Sequence, residues 1–430
     1  MFTLSLRNRE LANLFVVAII TGLGFASVYI ARQDVISTGS LSYAIFFFAL
    51  YLTAHIVARF TVPEADPYLL PMAALLTAVG ITEIYRLEPD NAFRQGIWVV
   101  VGVAAFSATL LLLRRDYRRL ESYKYLFGLT AIGLLILPGL PVVGRSVNGA
   151  RLWVEAAGIR FQPGELAKIL LIVFLAGYLR EKREVLAQGR LKDFGPLLLI
   201  WGAAMLVIVM TNDLGSALLY FGIFLAMLYV ATAKAWFAAA GLALFVGGAA
   251  VIYQAVPRVE ERVSIWIDPW EHAQTSGYQI IQALYSIANG GFGGTGFGNG
   301  TFENTGGGEL IPYLHTDFIY SALGQELGLV GAAALLLLFM LFCLRGFRIA
   351  LLAQDGFSKL LAVGLTFGFA LQTFIIVGGV LRLIPLTGIT LPFVSYGGSS
   401  IVANFLLLAG LLLVSHRANS AAQIPMEGRP

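Results

Sequence analysis

The sequence predicts an all-α polytopic membrane protein, a bundle of about twelve transmembrane helices with a long structured extracellular loop between the ninth and tenth. Three observations carry that expectation. Of the 430 residues, 58% are hydrophobic and 13% charged, and mean hydropathy is +0.79. A soluble domain is nearer half apolar and a quarter charged. Apolar runs of spanning length recur along the chain. Basic residues gather in alternate connections, as orientation in a bilayer requires, so the pI near 9.1 gives no reason to invoke a nucleic-acid partner.

The runs fall at about 11–31, 41–60, 68–85, 96–113, 125–143, 166–179, 195–210, 214–233, 235–256, 318–344, 357–384 and 393–414. The first is long enough to span, so it does not read as a cleaved leader. Arg114, Arg115, Arg118, Arg119 and Lys124 fill one connection, and Arg180, Lys182, Arg183, Arg190 and Lys192 another. Lys234, Arg345, Arg348, Lys359 and Arg417 follow the same parity. With an even number of helices both termini are then cytoplasmic, in agreement with Arg7 and Arg9. The division that follows is two N-terminal helices over 1–67, a membrane core over 68–415 and a short tail over 416–430 that reads as disordered. Cys343 is the single cysteine, inside an apolar run, so no disulfide framework exists; the four histidines show no metal-ligand spacing.

Three polar segments are left for the exterior: 144–165, the tight turn 211–213 and the loop 257–317. In the first, Trp153 suits an interfacial aromatic and Pro163 a first helical turn. Glu165 and Lys168, three apart, share a helix face inside the apolar layer. They read either as a structural ion pair or as the lining of a polar cavity. Asp213 in the second segment reads as a helix cap that also stands on the exterior side. The third segment has only Arg258 and Arg262 as basic residues. Within it 277–288 has the spacing of an amphipathic helix lying on the membrane. Gly290-Gly-Phe-Gly-Gly-Thr-Gly-Phe-Gly298 matches a dinucleotide fingerprint, but with no strand before it the match means nothing; its glycines suit tight turns or close approach to a bulky ligand.

The third segment ends on Pro312-Tyr-Leu-His315-Thr-Asp317, where a polar loop enters a long apolar helix. A carboxylate at such a boundary is costly unless it faces protein or water, so Asp317 is the leading catalytic candidate; its alternative is a helix cap. Pro and Gly crowd Leu381 to Ser400, and irregular backbone at membrane depth must be covered by protein or line a cavity.

Together these motifs resemble the RodA/FtsW/SpoVE (SEDS) family. The resemblance rests on Arg160-Phe-Gln-Pro-Gly-Glu165-Leu-Ala-Lys168, Asn212-Asp-Leu-Gly-Ser216, Gly277-Tyr-Gln-Ile-Ile-Gln282 and the glycine run. It continues through His315-Thr-Asp317-Phe-Ile, Glu326-Leu-Gly-Leu-Val-Gly331 and Pro392-Phe-Val-Ser395-Tyr-Gly-Gly-Ser-Ser400. It spans roughly 68–415. The two extra N-terminal helices resemble the subtype of actinobacteria and their neighbours and favour a RodA-like variant. Ile376 stands where many members have Asn, so no role of that Asn carries over.

The resemblance implies a peptidoglycan glycosyltransferase that polymerises lipid II on the outer face of the bacterial plasma membrane, in elongation or division, beside a class B penicillin-binding transpeptidase. It places the family's essential aspartate, the catalytic residue, at Asp317 and its tryptophan, glutamate, lysine and second-turn aspartate at Trp153, Glu165, Lys168 and Asp213; Arg262, His315 and Ser395 join these as candidate substrate contacts. An inverting attack on an undecaprenyl-diphosphate-linked donor needs one base, here Asp317 aligned by His315. Lys168, Arg262 or a divalent cation (Mg or Mn) would offset the leaving diphosphate; no other cofactor is implied. Two other classes compete. A precursor flippase needs a polar path with embedded charge at both ends, whereas the embedded charges here gather toward the exterior. A non-catalytic scaffold would recruit the transpeptidase with Asp317 dispensable.

Overall fold

The computed structural model describes residues 5–33, 38–141, 143–147, 150–156, 158–187, 195–211, 213–302 and 310–422. The polypeptide is helical almost throughout. The helices are α1 (Leu6–Gln33), α2 (Thr38–Thr61), α3 (Leu69–Leu87), α4 (Pro89–Leu113), the short α5 (Arg119–Ser122), α6 (Lys124–Ile136) and α7 (Pro163–Ala187). They continue with α8 (Gly195–Met210), α9 (Leu214–Thr232), α10 (Ala235–Ala255), α11 (Pro257–Ile267), α12 (Tyr278–Gly290), α13 (Ile319–Leu352), α14 (Gly356–Val380) and α15 (Gly398–Ala422). Each of the twelve apolar runs falls on one of these. Among the described residues nine helices are long and apolar enough to cross a membrane, and the apolar stretches at α6 and α8 are shorter. α7 has the length, but Glu165 and Lys168 sit in its first turns and a run of charge closes it.

The centre of the bundle is α14 and α15, buried along most of their length, whereas α10 lies at the rim. A chain of rings crosses this centre: Phe342 stacks on Phe369 at 4.4 Å, Phe393 follows at 6.2 Å, and Phe405 meets Phe393 edge-on at 5.5 Å. Small residues let backbone approach backbone, as helix packing in lipid requires. At Gly80 of α3 a Cβ would stand 2.3 Å from the Val394 carbonyl, so only glycine admits the 391–396 turn between α14 and α15.

Several boundaries differ from the sequence expectation. α6 stops at Ile136 and gives way to a 3₁₀ turn, Leu137–Gly139. The segment after it folds as a three-stranded antiparallel sheet of β1 (Gly144–Val147), β2 (Ala150–Ala156) and β3 (Ile159–Phe161). The expected span 357–384 ends at Val380, and the last helix starts at Gly398, because the prolines between them cannot continue a helix. α13 is one long helix with a break at Gly328 (φ 66°), where Gly294 of the glycine run closes in. The tail is helical as far as Ala422: Asn419 donates to the Glu64 carbonyl at 2.7 Å and the Glu64 amide to His416 at 3.3 Å. Asn212, Arg190, Lys192 and the last residues of the tail lie outside the described residues.

The expectation that embedded charge gathers at the Asp317 end needs correcting too. Arg7, Glu10, His55 and Asp66 are buried at the opposite end. Buried charge must be paired, and these are. Glu10 takes Arg7 at 2.5 Å and His55 at 2.7 Å, while Asp66 takes Arg345 at 3.2 Å.

Candidate active site

The loop that carries Asp317 is held on three sides. Leu310 donates to the Phe302 carbonyl at 2.7 Å, tying it to the glycine run. Tyr313 takes φ 61°, and its carbonyl then accepts the amides of Thr316 (3.1 Å) and Asp317 (3.2 Å). From the α14–α15 connection, Ser395 donates through its hydroxyl to the Thr316 carbonyl at 2.6 Å, and Tyr396 through its amide to the His315 carbonyl at 2.9 Å. Ser395 is buried in that exchange, also accepting the Leu391 amide at 2.9 Å. It holds the loop's backbone.

The N-cap position of α13 is Phe318, so Asp317 stands one residue outside the helix. Its carboxyl is half-buried beside the Gly388 backbone. Burial pushes its pKa up to about 6, with the Arg262 guanidinium and a hydrogen bond from Thr316 pulling the other way.

Arg262, from α11, is the hub of the local charges. Burial and Arg258 weaken its hold on its proton, and Asp213, Asp317 and Glu261 strengthen it. Asp213 does cap α9, accepting the Ser216 amide at 3.0 Å. Even so, burial raises its pKa; Glu165 also pushes it up, and Arg262 counters. The cap reading of Asp213 thus holds, and its carboxyl also feels the charges of Glu165 and Arg262. Glu165, Asp213, Arg262 and Asp317 share one electrostatic neighbourhood, contributed by α7, the end of the α8–α9 turn, α11 and the start of α13.

Lys168 is buried, and its ammonium donates to Glu165 at 2.7 Å and to Gln372 of α14 at 2.6 Å. Gln372 in turn donates to the Thr390 carbonyl at 2.9 Å. The ion pair read from spacing therefore exists and also reaches the α14–α15 connection. Arg262, by contrast, makes no ion pair within 4 Å among the described residues. Of the two cations it has the freer charge. Beside this group is a small, partly open cleft lined by Arg151, Leu152, Gln162, Asp213, Ser216 and Tyr220 among others. Asp317 is not in its lining; the link between them is the field of Arg262.

His315 is engaged elsewhere. Its ring lies 3.4 Å from Glu88 Oε1 and 3.4 Å from Asn91 Nδ2, and edge-on to Tyr396. Glu88 and Asn91, at the start of α4, are site neighbours that sequence reasoning did not single out. Trp153 is half-buried on β2, opposite Arg145. Among the described residues no three His, Cys, Asp or Glu side chains converge as metal ligands. Asp317 and Asp213, both in the field of Arg262, suit a divalent ion only if substrate oxygens complete its shell.

The family model for the cell cycle proteins FtsW, RodA and SpoVE matches residues 65–420. The chain belongs to that family. It is 40% identical to the peptidoglycan glycosyltransferase RodA of Mycobacterium tuberculosis over 99% of this chain and 92% of that protein. The probable peptidoglycan glycosyltransferase FtsW of Geobacter metallireducens is 33% identical over 82% of this chain and 95% of its own length. Among solved structures, a chain from a peptidoglycan synthase complex that coordinates polymerization and crosslinking matches with TM-score 0.69 and 29% identity, over 83% of this chain and 98% of its own. The rod shape-determining protein RodA of Thermus thermophilus matches with TM-score 0.57 and 27% identity, over 82% and 97%.

Proposed function

We propose that the protein is a peptidoglycan glycosyltransferase that polymerises lipid II into glycan strands at the outer face of the bacterial plasma membrane, with both termini cytoplasmic. The observation that carries the chemistry is Asp317: a half-buried carboxyl, outside its helix, with a pKa near 6 and Arg262 in its field. A base with a pKa close to the working pH is suited to take a hydroxyl proton. Asp317 removes the proton of the acceptor 4-hydroxyl as that oxygen attacks the anomeric carbon. The bond to the undecaprenyl diphosphate breaks on the opposite side, and configuration inverts. Arg262, the freer cation, offsets charge on the departing diphosphate. Lys168, already held by Glu165 and Gln372, keeps α7 and α14 in register and supplies background positive potential. Asp213 and Asp317 are the carboxylates that would hold a divalent cation, Mg or Mn, whose charge would help offset that of the diphosphate.

The partner is a class B penicillin-binding transpeptidase, a reading supported by the likeness to a chain of a peptidoglycan synthase complex. The match to a RodA over nearly the whole chain, N-terminal helices included, favours elongation over division. The test is lipid II polymerisation by the purified protein with its transpeptidase, beside Asp317→Ala. Wild type should form strands and the variant none, with expression and partner binding intact. Equal polymerisation by the variant would remove Asp317 from the chemistry, and inactivity of both would return the flippase and scaffold readings.

A further inference from the structure

The small sheet has two unlike faces. Side chains alternate along a strand, so Arg151, Trp153 and Glu155 of β2 share one face, and Leu152 and Val154 the other. Directly opposite neighbours share a face too: Arg145 pairs with Trp153, and Arg160 with Glu155. One face therefore presents three arginines, a tryptophan and a single carboxylate. Glu155 is shared by Arg145 at 3.7 Å and Arg160 at 3.5 Å, and both arginines stay mostly exposed, at 68% and 66%. That leaves the face cationic. Arg151, on the same strand, also lines the cleft that contains Asp213. The face thus borders the cleft at Arg151, where Leu152 of the other face lines it too. Leu152 and Val154 lie on the sheet's apolar side, whereas Arg145, Arg151 and Arg160 are exposed.

We propose that this face is a binding platform for the growing glycan strand. The Trp153 ring stacks on a sugar, while Arg145, Arg151 and Arg160 pair with carboxylates of the peptide stems. The inference rests on the glycosyltransferase reading and deepens it: the ligand is the acidic, peptide-bearing polymer leaving the cleft. A tryptophan set among spaced guanidinium groups suits a polymer with flat sugar faces and recurring anions better than it suits phospholipid headgroups, which offer only the anion.

The test needs no catalysis. Dye-labelled, uncrosslinked glycan strands with free stem carboxylates are titrated onto the full-length protein in detergent without lipid II, and fluorescence anisotropy gives the affinity. The Arg145→Ala/Arg160→Ala double variant should bind them about three- to tenfold more weakly, the range that two exposed ion pairs supply. Wild type should lose a similar factor for strands whose stems an amidase has removed, and added salt should narrow the difference. An Arg145→Lys/Arg160→Lys variant should recover part of the affinity. Binding within twofold for variant and wild type, or for full and stripped strands, would overturn the proposal and leave the face as a cationic belt for lipid headgroups. If strand binding behaves as expected but wild type polymerises no lipid II, the catalytic reading fails instead. Polymerisation with no strand selectivity would strike the platform alone.

Discussion

Asp317 matters chemically because its carboxyl is poorly solvated. With a pKa of about 6 it is roughly nine-tenths ionised at pH 7 and still basic enough to accept a hydroxyl proton. Asp317→Asn keeps the shape and removes the base, so kcat should fall about 10²- to 10⁴-fold while KM stays within a few-fold, as read from lipid II turnover. The pH dependence has a definite sign. Protonation below pH 6 removes the base, so wild-type kcat/KM should rise between pH 5 and 7 and level off above. Arg262 stabilises the charged carboxylate. Arg262→Gln should therefore raise the Asp317 pKa and move that limb to higher pH, with a lower plateau because the diphosphate loses its cation. A limb that stays in place would separate Arg262 from Asp317.

At the scale of elements, the corner between α3 and α4 braces the site from behind. Arg86, at the end of α3, donates to the carbonyls of Gly298 (2.9 Å) and Gly300 (2.6 Å). Glu326 of α13 accepts the amides of the same two glycines at 2.7 and 3.0 Å and pairs with Arg86 at 3.3 Å. The glycine run is thereby fastened on both its donor and acceptor edges. Two residues beyond Arg86, Glu88 reaches His315. Arg86→Leu leaves Glu326 buried without its cation, which costs about 3–5 kcal/mol. A drop of several degrees in the detergent melting temperature should accompany it; an unchanged melt would show the pair to be dispensable. Little of this bracing could be read from the sequence. The helices were legible because most of the apolar runs are long enough to cross a membrane on their own. Glu88 and His315 are separated by about half of the chain, and no local pattern marks them as neighbours. The sheet left one overlooked trace, the alternation Arg-Leu-Trp-Val-Glu in β2, masked because Trp153 alone already suited an interface. Asp317 was legible as a misplaced charge, but its coupling to Arg262 depends on how α11 folds back.

For the whole molecule, the question is whether α1 and α2, which precede the matched family region, are an appendage or part of the bundle. The contacts favour the second. Near its C-terminal end α1 donates from the Ser27 hydroxyl to the Phe297 carbonyl at 2.7 Å, and Ala31 lies against Gly298, so it backs the glycine run. Near its start Arg7 is buried, donating to the Pro63 carbonyl at 3.2 Å, to the Ala65 carbonyl and to Glu10. Roughly 30 Å of helix separates Arg7 from Ser27, at about 1.5 Å per residue. Stability and activity should therefore part company in this pair of helices. Glu10→Ala strips Arg7 and His55 of their shared carboxylate, and an uncompensated buried charge costs about 3–5 kcal/mol. The detergent melting temperature should fall by several degrees, while kcat per folded molecule stays close to wild type, because the glycine run and Asp317 lie at the other end. Ser27→Val removes one hydrogen bond, worth about 1 kcal/mol, at the anchor nearer the glycine run. It should barely move the melt yet lower kcat, since the loop it steadies leads through Phe302 and Leu310 to Asp317. If the two variants show the same ratio of melting shift to activity loss, α1 acts only as packing, and the glycine run owes its position to Arg86 and Glu326 alone.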